Sequence, residues 1–154
     1  MSKVEEKMQE LEVELPQPNT PKFSYVATKQ FGDYVYTSGQ DCRVNGKLMF
    51  EGKLGKDVSV EEGQEAAKQG VINCLSVIKE EIGDLDKIKQ VVKILGFVNS
   101  TDGFVEQPYV LDGASKFLVE ILGEKGKHAR SAVACNELPF NTPVEIEMIV
   151  EVIN

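Results

Sequence analysis

The clearest hydrophobic pattern of this chain lies near its carboxyl end, where apolar and acidic residues alternate. From Val144 to Val152 every second residue is apolar, and three of the four residues between them are glutamates. A period of two is typical of a strand with one buried face. We therefore predict a C-terminal strand that packs its apolar face on a core and carries Glu145 and Glu147 on the opposite face.

A second period, of three to four residues, predicts two helices. The sequence Ser59-Val-Glu-Glu62 is a capping box that begins the first helix, and Gly83-Asp84 ends it. Its predicted buried stripe is Ala67, Val71, Cys74, Leu75, Ile78 and Ile82. The second helix falls within residues 105–123. Its predicted stripe is Val110, Ala114, Phe117, Leu118 and Ile121.

Three short strands are predicted before the first helix. Residues 23–30 form the first strand and residues 34–38 the second, with a turn at Phe31-Gly-Asp33 between them. Asn45-Gly46 is a strong hairpin signal, and residues 47–50 are its predicted return strand. This part of the chain therefore reads as a sequence of antiparallel strands.

The remaining segments complete an α+β order. Ile88 to Val98 is too apolar and β-branched for a surface helix and predicts a central strand, followed by a loop over residues 99–103. An apolar run that carries Arg130 predicts another strand. The order is β-β-β-α-β-α-β-β, a mixed sheet with two helices packed on one face. The other face is half apolar, which favours association between subunits.

The N-terminal residues differ from the rest. Val4, Met8 and Leu11 have helical spacing among charged residues, and Pro16, Pro18 and Pro21 then impose an extended chain. We predict a short helix and a proline-rich arm over residues 1–22, followed by a single domain over residues 23–154.

Composition and charge exclude several classes of function. The chain has 154 residues and a net charge of −8, without a long cluster of lysine and arginine. Binding of nucleic acid or a phospholipid surface rests on neutralising phosphate charge, so both partners are disfavoured. No apolar run approaches the 18 residues of a membrane span, and the N-terminus lacks a signal peptide's apolar core.

The three cysteines indicate a reducing compartment. Their number is odd and they are widely separated, which argues against both a disulfide framework and a zinc site. Motifs for nucleotide cofactors or a catalytic metal are absent. We expect a cytoplasmic protein that uses neither a cofactor nor a metal.

Arg130 and Glu145 are the residues that favour a particular chemistry. They fall on two predicted strands joined by the Leu138-Pro-Phe-Asn-Thr-Pro143 turn, which places them in one sheet and predicts that they lie near one another. A guanidinium fork binds a carboxylate by two parallel hydrogen bonds, and a carboxylate can direct a water molecule. The alternative is a structural salt bridge of Arg130. His128 is the only histidine, and its neighbouring lysines favour a solvated side chain over an acid/base role.

These pieces, in this order, resemble the RidA (YjgF) family of enamine/imine deaminases, also known as L-PSP endoribonucleases or translation inhibitors. The matching motifs are Gly32-Asp-Tyr-Val-Tyr-Thr-Ser-Gly-Gln40, Ala129-Arg-Ser-Ala-Val133 with Leu138-Pro139, and Val144-Glu-Ile-Glu147. They span nearly all of residues 23–153. The sequence is similar to one divergent subgroup of that family.

The resemblance implies a chorismate-mutase-like fold and a homotrimer whose sheets form a central barrel, with sites in the clefts between subunits. It implies that Arg130 holds a substrate carboxylate and that Glu145 positions the attacking water. The other residues that it implies for substrate binding are Tyr25, Ser38, Gly39 and Ala132. The implied reaction is hydrolysis of small 2-imino or 2-enamino acids to a 2-oxo acid and ammonia.

Two departures from the family pattern leave alternatives open. Ala132 stands where the family often has cysteine, and the segment around Phe104-Val-Glu-Gln-Pro108 does not reproduce the usual motif before the second helix. The same fold is therefore also compatible with a module that binds small carboxylates or a protein without turnover. Ribonuclease activity is disfavoured, because one histidine and the net charge of −8 suit neither RNA cleavage nor RNA binding.

Overall fold

A computed structural model describes residues 1–153 of the chain. The helices are α1 (Lys3–Glu10), α2 (Val60–Ile82) and α3 (Gln107–Leu122). The strands are β1 (Thr28–Phe31), β2 (Tyr34–Thr37), β3 (Arg43–Val44), β4 (Lys47–Leu48), β5 (Ile88–Asn99), β6 (Ala129–Cys135) and β7 (Val144–Val152). Both long helices and the four longer strand predictions after residue 33 are confirmed, with the bounds shifted by a few residues.

Five strands form one mixed sheet in the order β1-β2-β7-β5-β6. The pairs β1–β2, β2–β7 and β7–β5 are antiparallel, whereas β5 and β6 are parallel. Two parallel neighbours need a long crossover, and α3 supplies it. As a result β5 lies between the two C-terminal strands, and β6 is one edge of the sheet.

The helices α2 and α3 cover one face of this sheet and enclose the core. The apolar residues of β7 are buried on that face from Val144 to Val152, and the residues between them are partly exposed on the other face. The predicted stripes of both helices are buried, apart from the half-buried Ile82. The predicted α+β fold with helices on one face is confirmed.

The open face of the sheet is half apolar, as predicted. The strand register pairs Tyr36 with Ile149, and Phe97 with both Glu145 and Val133. Registered partners point to the same side of a sheet, so aromatic, aliphatic and acidic groups share this face. Tyr36 and Val133 are exposed and Phe97 is half-buried.

Two early strands differ from the prediction. The first strand begins at Thr28 instead of Phe23, because residues 23–27 leave the sheet and form a loop. The Asn45-Gly46 turn forms a hairpin, with both residues at positive φ, as the sequence predicts. However, its strands β3 and β4 pair only with each other and lie outside the five-stranded sheet.

The N-terminal segment is fixed to the rest of the protein at several points. The Asp86 carboxylate accepts hydrogen bonds from the backbone N–H groups of Lys3 and Val4, at 2.8 and 3.2 Å. Met8 is fully buried in the common core. Farther along, the Ser76 hydroxyl of α2 donates to the carbonyl of Pro16 at 2.6 Å. These contacts hold the arm against α2, and the chain then continues to β1, the first strand of the sheet.

Two helical glycines provide a test of how closely the core is packed. A Cβ at Gly113 of α3 would lie 2.7 Å from Cα of Gln64 in α2. A Cβ at Gly70 would make only ordinary contacts, with Ile146 Cδ1 at 3.4 Å and the carbonyl oxygen of Gln40 at 3.5 Å. We expect Gly113→Ala to destabilise the protein by about 1–3 kcal/mol, because the two helix backbones must separate. Gly70→Ala should be neutral or stabilising by up to about 1 kcal/mol, because alanine favours the helix. Urea unfolding of both variants measures the difference; equal losses would contradict this account of the α2–α3 contact.

Candidate functional site

The predicted site residues fall into two groups in one subunit. Tyr25 and Gly39 line a cleft of about 280 Å³ near the start of the sheet. Ser38 and Glu145 adjoin that cleft through Gly39. Arg130 and Ala132 form the second group, on edge strand β6.

Glu145 is packed directly against Gly39. A side chain at position 39 would collide with the Glu145 carboxylate, so any larger residue there would displace the Glu145 side chain from this position. Glu145 is half-buried near the beginning of β7. Burial raises the pKa of its carboxyl group, and the nearby charges of Asp41 and Glu147 raise it further. The protein therefore keeps at this point a carboxyl group that binds a proton more readily than an ordinary glutamate.

The cleft beside Gly39 has a wall formed by the N-terminal arm and another formed by the β3–β4 hairpin. The arm contributes residues 19–22, the loop that follows it contributes Phe23 and Tyr25, and the hairpin contributes Arg43 and Gly46. Because α1 and Pro16 fix the arm along α2, the N-terminal segment shapes this cleft. Sequence analysis did not identify the part that the arm takes in the site.

Tyr25 lies in the loop before β1 instead of on a strand. The loop is fixed by Ser38, whose backbone N–H donates to the carbonyl of Ala27 at 2.8 Å and whose hydroxyl donates to the carbonyl of Val26 at 2.7 Å. The Tyr25 side chain is 53% exposed. Ser38 thus positions the tyrosine loop, while the Tyr25 ring remains accessible at the cleft.

Arg43 and Phe140 are cleft residues that sequence analysis missed. The Arg43 guanidinium donates to Asp41 Oδ2 at 3.1 Å and to the carbonyl of Gly46 at 3.2 Å. It lies over the Phe140 ring, 5.2 Å from the ring centroid. The position of Arg43 beside a predicted hairpin turn gave no indication that its side chain meets a residue nearly one hundred positions later.

Arg130 is held by α3 on the covered side of the sheet. Its Nη1 atom donates to Asp112 Oδ1 at 2.8 Å and to Ser115 Oγ at 3.1 Å, and Nη2 donates to the carbonyl of Pro108 at 3.3 Å. These three bonds use three of the five N–H donors of a guanidinium. Two donors therefore remain for a ligand, and the structural and functional interpretations of Arg130 are compatible.

His128 extends this network and is not simply a solvated side chain. Its Nε2 atom lies 2.9 Å from Ser115 Oγ, and its Nδ1 atom lies 2.6 Å from the carbonyl oxygen of Gly126. Because a carbonyl only accepts, Nδ1 carries the proton and Nε2 accepts from the serine hydroxyl. Burial lowers the pKa of His128, and the nearby Arg130 charge lowers it further against the opposing effect of the Gly126 carbonyl.

Arg130 and Glu145 do not meet within one subunit. The sequence predicted that their strands would place them close together, but β5 lies between those strands. Arg130 is in register with Ile94, which is buried beneath the helices, whereas Glu145 is in register with Phe97 on the open face. Residues three apart on a regular strand point to opposite sides. The two side chains therefore lie on opposite faces of the sheet.

Ala132 lies on the same covered side as Arg130. It is in register with Gly96, where any side chain would collide with Leu111 of α3. The Ala132 methyl group packs against the core. The available space beneath α3 is therefore small, which accounts for a small residue at this position.

Residues 1–153 contain neither a metal-binding cluster nor a membrane-spanning helix. No group of three or more His, Cys, Asp or Glu side chains within this range is arranged to hold a metal ion. Within the same range, no helix has the length and apolar character required to cross a membrane.

The chain matches one protein family and several known proteins over nearly its whole length. The family model described as "YjgF/chorismate mutase-like, putative endoribonuclease" matches residues 5–152. Protein TCP17 of Trypanosoma cruzi is 38% identical over 148 residues, which cover 96% of this chain and 92% of that protein.

Two crystal structures resemble the fold closely. Protein Atu1372 of Agrobacterium tumefaciens, of unknown function, is 41% identical with a TM-score of 0.92, covering 98% of this chain and 93% of that one. A putative endoribonuclease from Shewanella oneidensis is 32% identical with a TM-score of 0.94, covering 97% and 99% of the two chains.

The raised pKa of Glu145 predicts that this residue reduces stability at neutral pH. Above its folded-state pKa, the carboxylate is charged in both states but less well accommodated in the folded protein. Glu145→Gln should therefore raise the unfolding midpoint at pH 7. The gain should decrease as the pH falls through the folded-state pKa and be absent below the ordinary glutamate value of 4.5. Thermal unfolding across that range tests this; an unchanged or lowered midpoint at pH 7 would contradict it.

Glu151→Gln is the matched control with the opposite sign. Hydrogen bonds from Gln90 and then Lys89 lower the pKa of Glu151. Folding therefore favours the charged form of Glu151. This form contributes to the stability of the folded protein above the ordinary glutamate pKa, and the contribution is lost as the pH falls. The substitution should lower the midpoint at pH 7, but only slightly, because solvent screens the ion pair with the exposed Lys89.

The lowered pKa of His128 predicts a separate dependence on pH. Below the ordinary value of 6.5 the unfolded chain takes up a proton that the folded protein resists, so stability decreases as the pH falls. His128→Gln cannot take up this proton. Urea unfolding between pH 7.5 and about 5.5 should show a weaker decline for the variant than for the wild type. Equal slopes would exclude His128 as a contributor.

Proposed function

The chain belongs to the YjgF/chorismate mutase-like family, and on that premise we propose that it hydrolyses small 2-imino and 2-enamino acids to 2-oxo acids and ammonia. Membership of the family supports a small-molecule-binding or deaminase-type role. The observation that carries the proposal is Glu145, a half-buried carboxyl group with a raised pKa that is packed against Gly39 beside an open cleft.

Glu145 has the properties that imine hydrolysis needs. Water adds to the imine carbon, a proton passes to the nitrogen, and the C–N bond of the resulting carbinolamine breaks to release ammonia and a 2-oxo acid. A carboxyl group within hydrogen-bond reach can accept a proton from the water and return it to the departing nitrogen. A raised pKa brings such a group closer to the operating pH, which favours both transfers.

Arg130 is the proposed anchor for the substrate carboxylate. Its guanidinium is oriented by Asp112, Ser115 and Pro108, and two N–H donors remain for the carboxylate oxygens. The backbone of Ala132, two residues farther along the edge strand, is proposed to complete this carboxylate site. Tyr25 closes the cleft, and Ser38 and Gly39 shape its base.

These two half-sites combine only if the site is shared between subunits. One subunit supplies the cleft with Tyr25, Ser38, Gly39 and Glu145, and the edge strand of a neighbour supplies Arg130 and Ala132. Proteins of this family are typically oligomeric, and the half-apolar open face of the sheet is suited to such contact. We propose a homotrimer that is located in the cytoplasm, where its three free thiols remain reduced.

A second candidate function is binding of small carboxylates without turnover. The observation that favours it is the engagement of Arg130 with Asp112 and Ser115, which stabilises the fold whether or not catalysis occurs. Carboxylate binding without any change in imine lifetime would support this alternative.

The proposed function is tested with an imine trap. A serine or threonine dehydratase generates the enamine and imine in the presence of semicarbazide, and the rate of semicarbazone formation is followed with this protein added. The wild type should suppress trapping, and Arg130→Ala should lose at least about 100-fold in rate, because the carboxylate loses its anchor. An Arg130→Ala variant that assembles normally and keeps full activity would contradict the proposed role of Arg130 and the proposed reaction.

Mixing two inactive variants tests whether the site is shared. Arg130→Ala and Glu145→Gln should each be inactive, but oligomers co-assembled from both should regain about one quarter of wild-type activity, since random mixing leaves both groups intact at one site in four. A site contained in one subunit would give no recovery. Light scattering on the same samples measures the oligomeric state, and a monomer would remove the shared site.

A further inference from the structure

Three aromatic side chains converge on the cleft beside Gly39. They are Phe23 and Tyr25 from the loop before β1 and Phe140 from the turn before β7, and each is more than half exposed. Large aromatic side chains are usually buried, because removing their apolar surface from water stabilises the folded protein by several times the thermal energy. Three exposed rings around one cleft therefore form a surface suited to an apolar partner of small size.

Phe140 is held in an unfavourable backbone conformation. Its φ angle is +59°, in the left-handed region that costs a bulky non-glycine residue about 1–2 kcal/mol. The turn is fixed by hydrogen bonds from Asn141 N–H to the Leu138 carbonyl at 3.1 Å and from Gly52 N–H to the Asn141 carbonyl at 2.8 Å. The result is a Phe140 ring that faces the cleft while the neighbouring Leu138 is buried. Strain of this kind is concentrated at functional sites.

The planar guanidinium of Arg43 makes a cation–π contact with the Phe140 ring. Its two terminal nitrogens are already bonded to Asp41 and to the Gly46 carbonyl, and the guanidinium lies over Phe140. Asp41 offsets its charge at 3.1 Å, and Glu145 adds a second carboxyl group nearby. Lys22 also lines the cleft, so two cationic groups face two carboxyl groups and the cleft offers little net attraction to a second carboxylate. It offers flat surfaces for stacking.

We propose that this cleft receives the side chain of the substrate and that the preferred substrates are 2-imino acids with an aromatic side chain. The inference rests on the proposed function for the position of the reacting carbon, near Gly39 and Glu145. From there the substrate side chain extends between Phe140, Tyr25 and Phe23. The cleft of about 280 Å³ is larger than a methyl or hydroxymethyl side chain needs, and Phe140 and Arg43 determine the selectivity.

The selectivity is tested by comparing two imines. An L-amino-acid oxidase with catalase generates the 2-imino acids of phenylalanine and alanine, and semicarbazone trapping gives kcat/KM for each. The wild type should favour the phenylalanine-derived imine by about tenfold, from stacking and apolar burial. Equal values, or a preference for the alanine-derived imine, would overturn the proposal.

Phe140→Asn removes the ring without disturbing the turn, because asparagine tolerates the left-handed conformation. It should reduce the preference to about twofold or less by slowing only the aromatic substrate. Phe31→Asn is the matched control, since Phe31 is also exposed but lies on β1 outside the cleft. A loss of preference in the control, or an equal loss for both imines in Phe140→Asn, would contradict the assignment.

Arg43→Met distinguishes stacking from charge recognition. Methionine keeps an apolar cover for Phe140, so the aromatic preference should be only partly reduced. The aspartate-derived imine serves as a probe for a second carboxylate. If the wild type prefers that imine and Arg43→Met removes the preference, the cleft selects acidic side chains and the proposal is wrong.

Calorimetry separates this inference from the proposed reaction. The products 2-oxo-3-phenylpropanoate and 2-oxopropanoate differ only in the ring, and the first should bind about tenfold more tightly to the wild type but not to Phe140→Asn. If this holds while no imine is hydrolysed, the deaminase function fails and the aromatic pocket stands. If imines are hydrolysed without regard to side chain and both products bind equally, the function stands and the aromatic pocket fails.

Discussion

Successive side chains of a strand must point to opposite faces of a sheet, and this alternation determines the arrangement of the candidate site. The core beneath α2 and α3 takes one set of side chains from β5, β6 and β7. That choice places Arg130 on the covered side and Glu145 on the open side, because β5 connects them through residues three positions apart. Because Arg130 and Glu145 lie on opposite faces within one subunit, we propose that the two groups combine in a site shared between subunits.

The covered and open sides of the sheet are built by different physical effects. On the covered side, apolar burial dominates, and polar groups such as Asp112, Ser115 and His128 form hydrogen bonds with one another and with Arg130. On the open side, Glu145 is held near Gly39 and other acids in a setting that disfavours its charge. Phe140 adds backbone strain at the neighbouring turn. The rest of the fold must offset these local costs, which is characteristic of sites that bind or react.

The N-terminal segment connects fold and site. Proline residues keep the arm extended, Met8 anchors its helix in the core, and Ser76 holds the arm at Pro16. The arm then lines the cleft with residues 19–22, and the loop that follows adds Phe23 and Tyr25. A segment that looks peripheral in the sequence therefore forms a wall of the cleft, and its proline content serves a geometric purpose.

The sequence alone determined the elements whose signals are local. The alternation in β7, the capping box at Ser59 and the helical stripes are short-range patterns, and the corresponding elements are present as predicted. The Asn45-Gly46 turn was also predicted, since its positive φ angles depend only on the two residues that form it.

Tertiary structure decided which elements are neighbours. The insertion of β5 between β6 and β7 separated Arg130 from Glu145, and residues 23–27 left the sheet because pairing begins only at Thr28. Asn99, predicted as the first residue of a loop, is instead the buried end of β5, because the distant carbonyl groups of Gly52 and Thr142 accept hydrogen bonds from its amide. The Arg43–Phe140 contact likewise joins residues far apart in the chain. Local propensity carries no information about such pairs, because they are selected by the packing of the whole core.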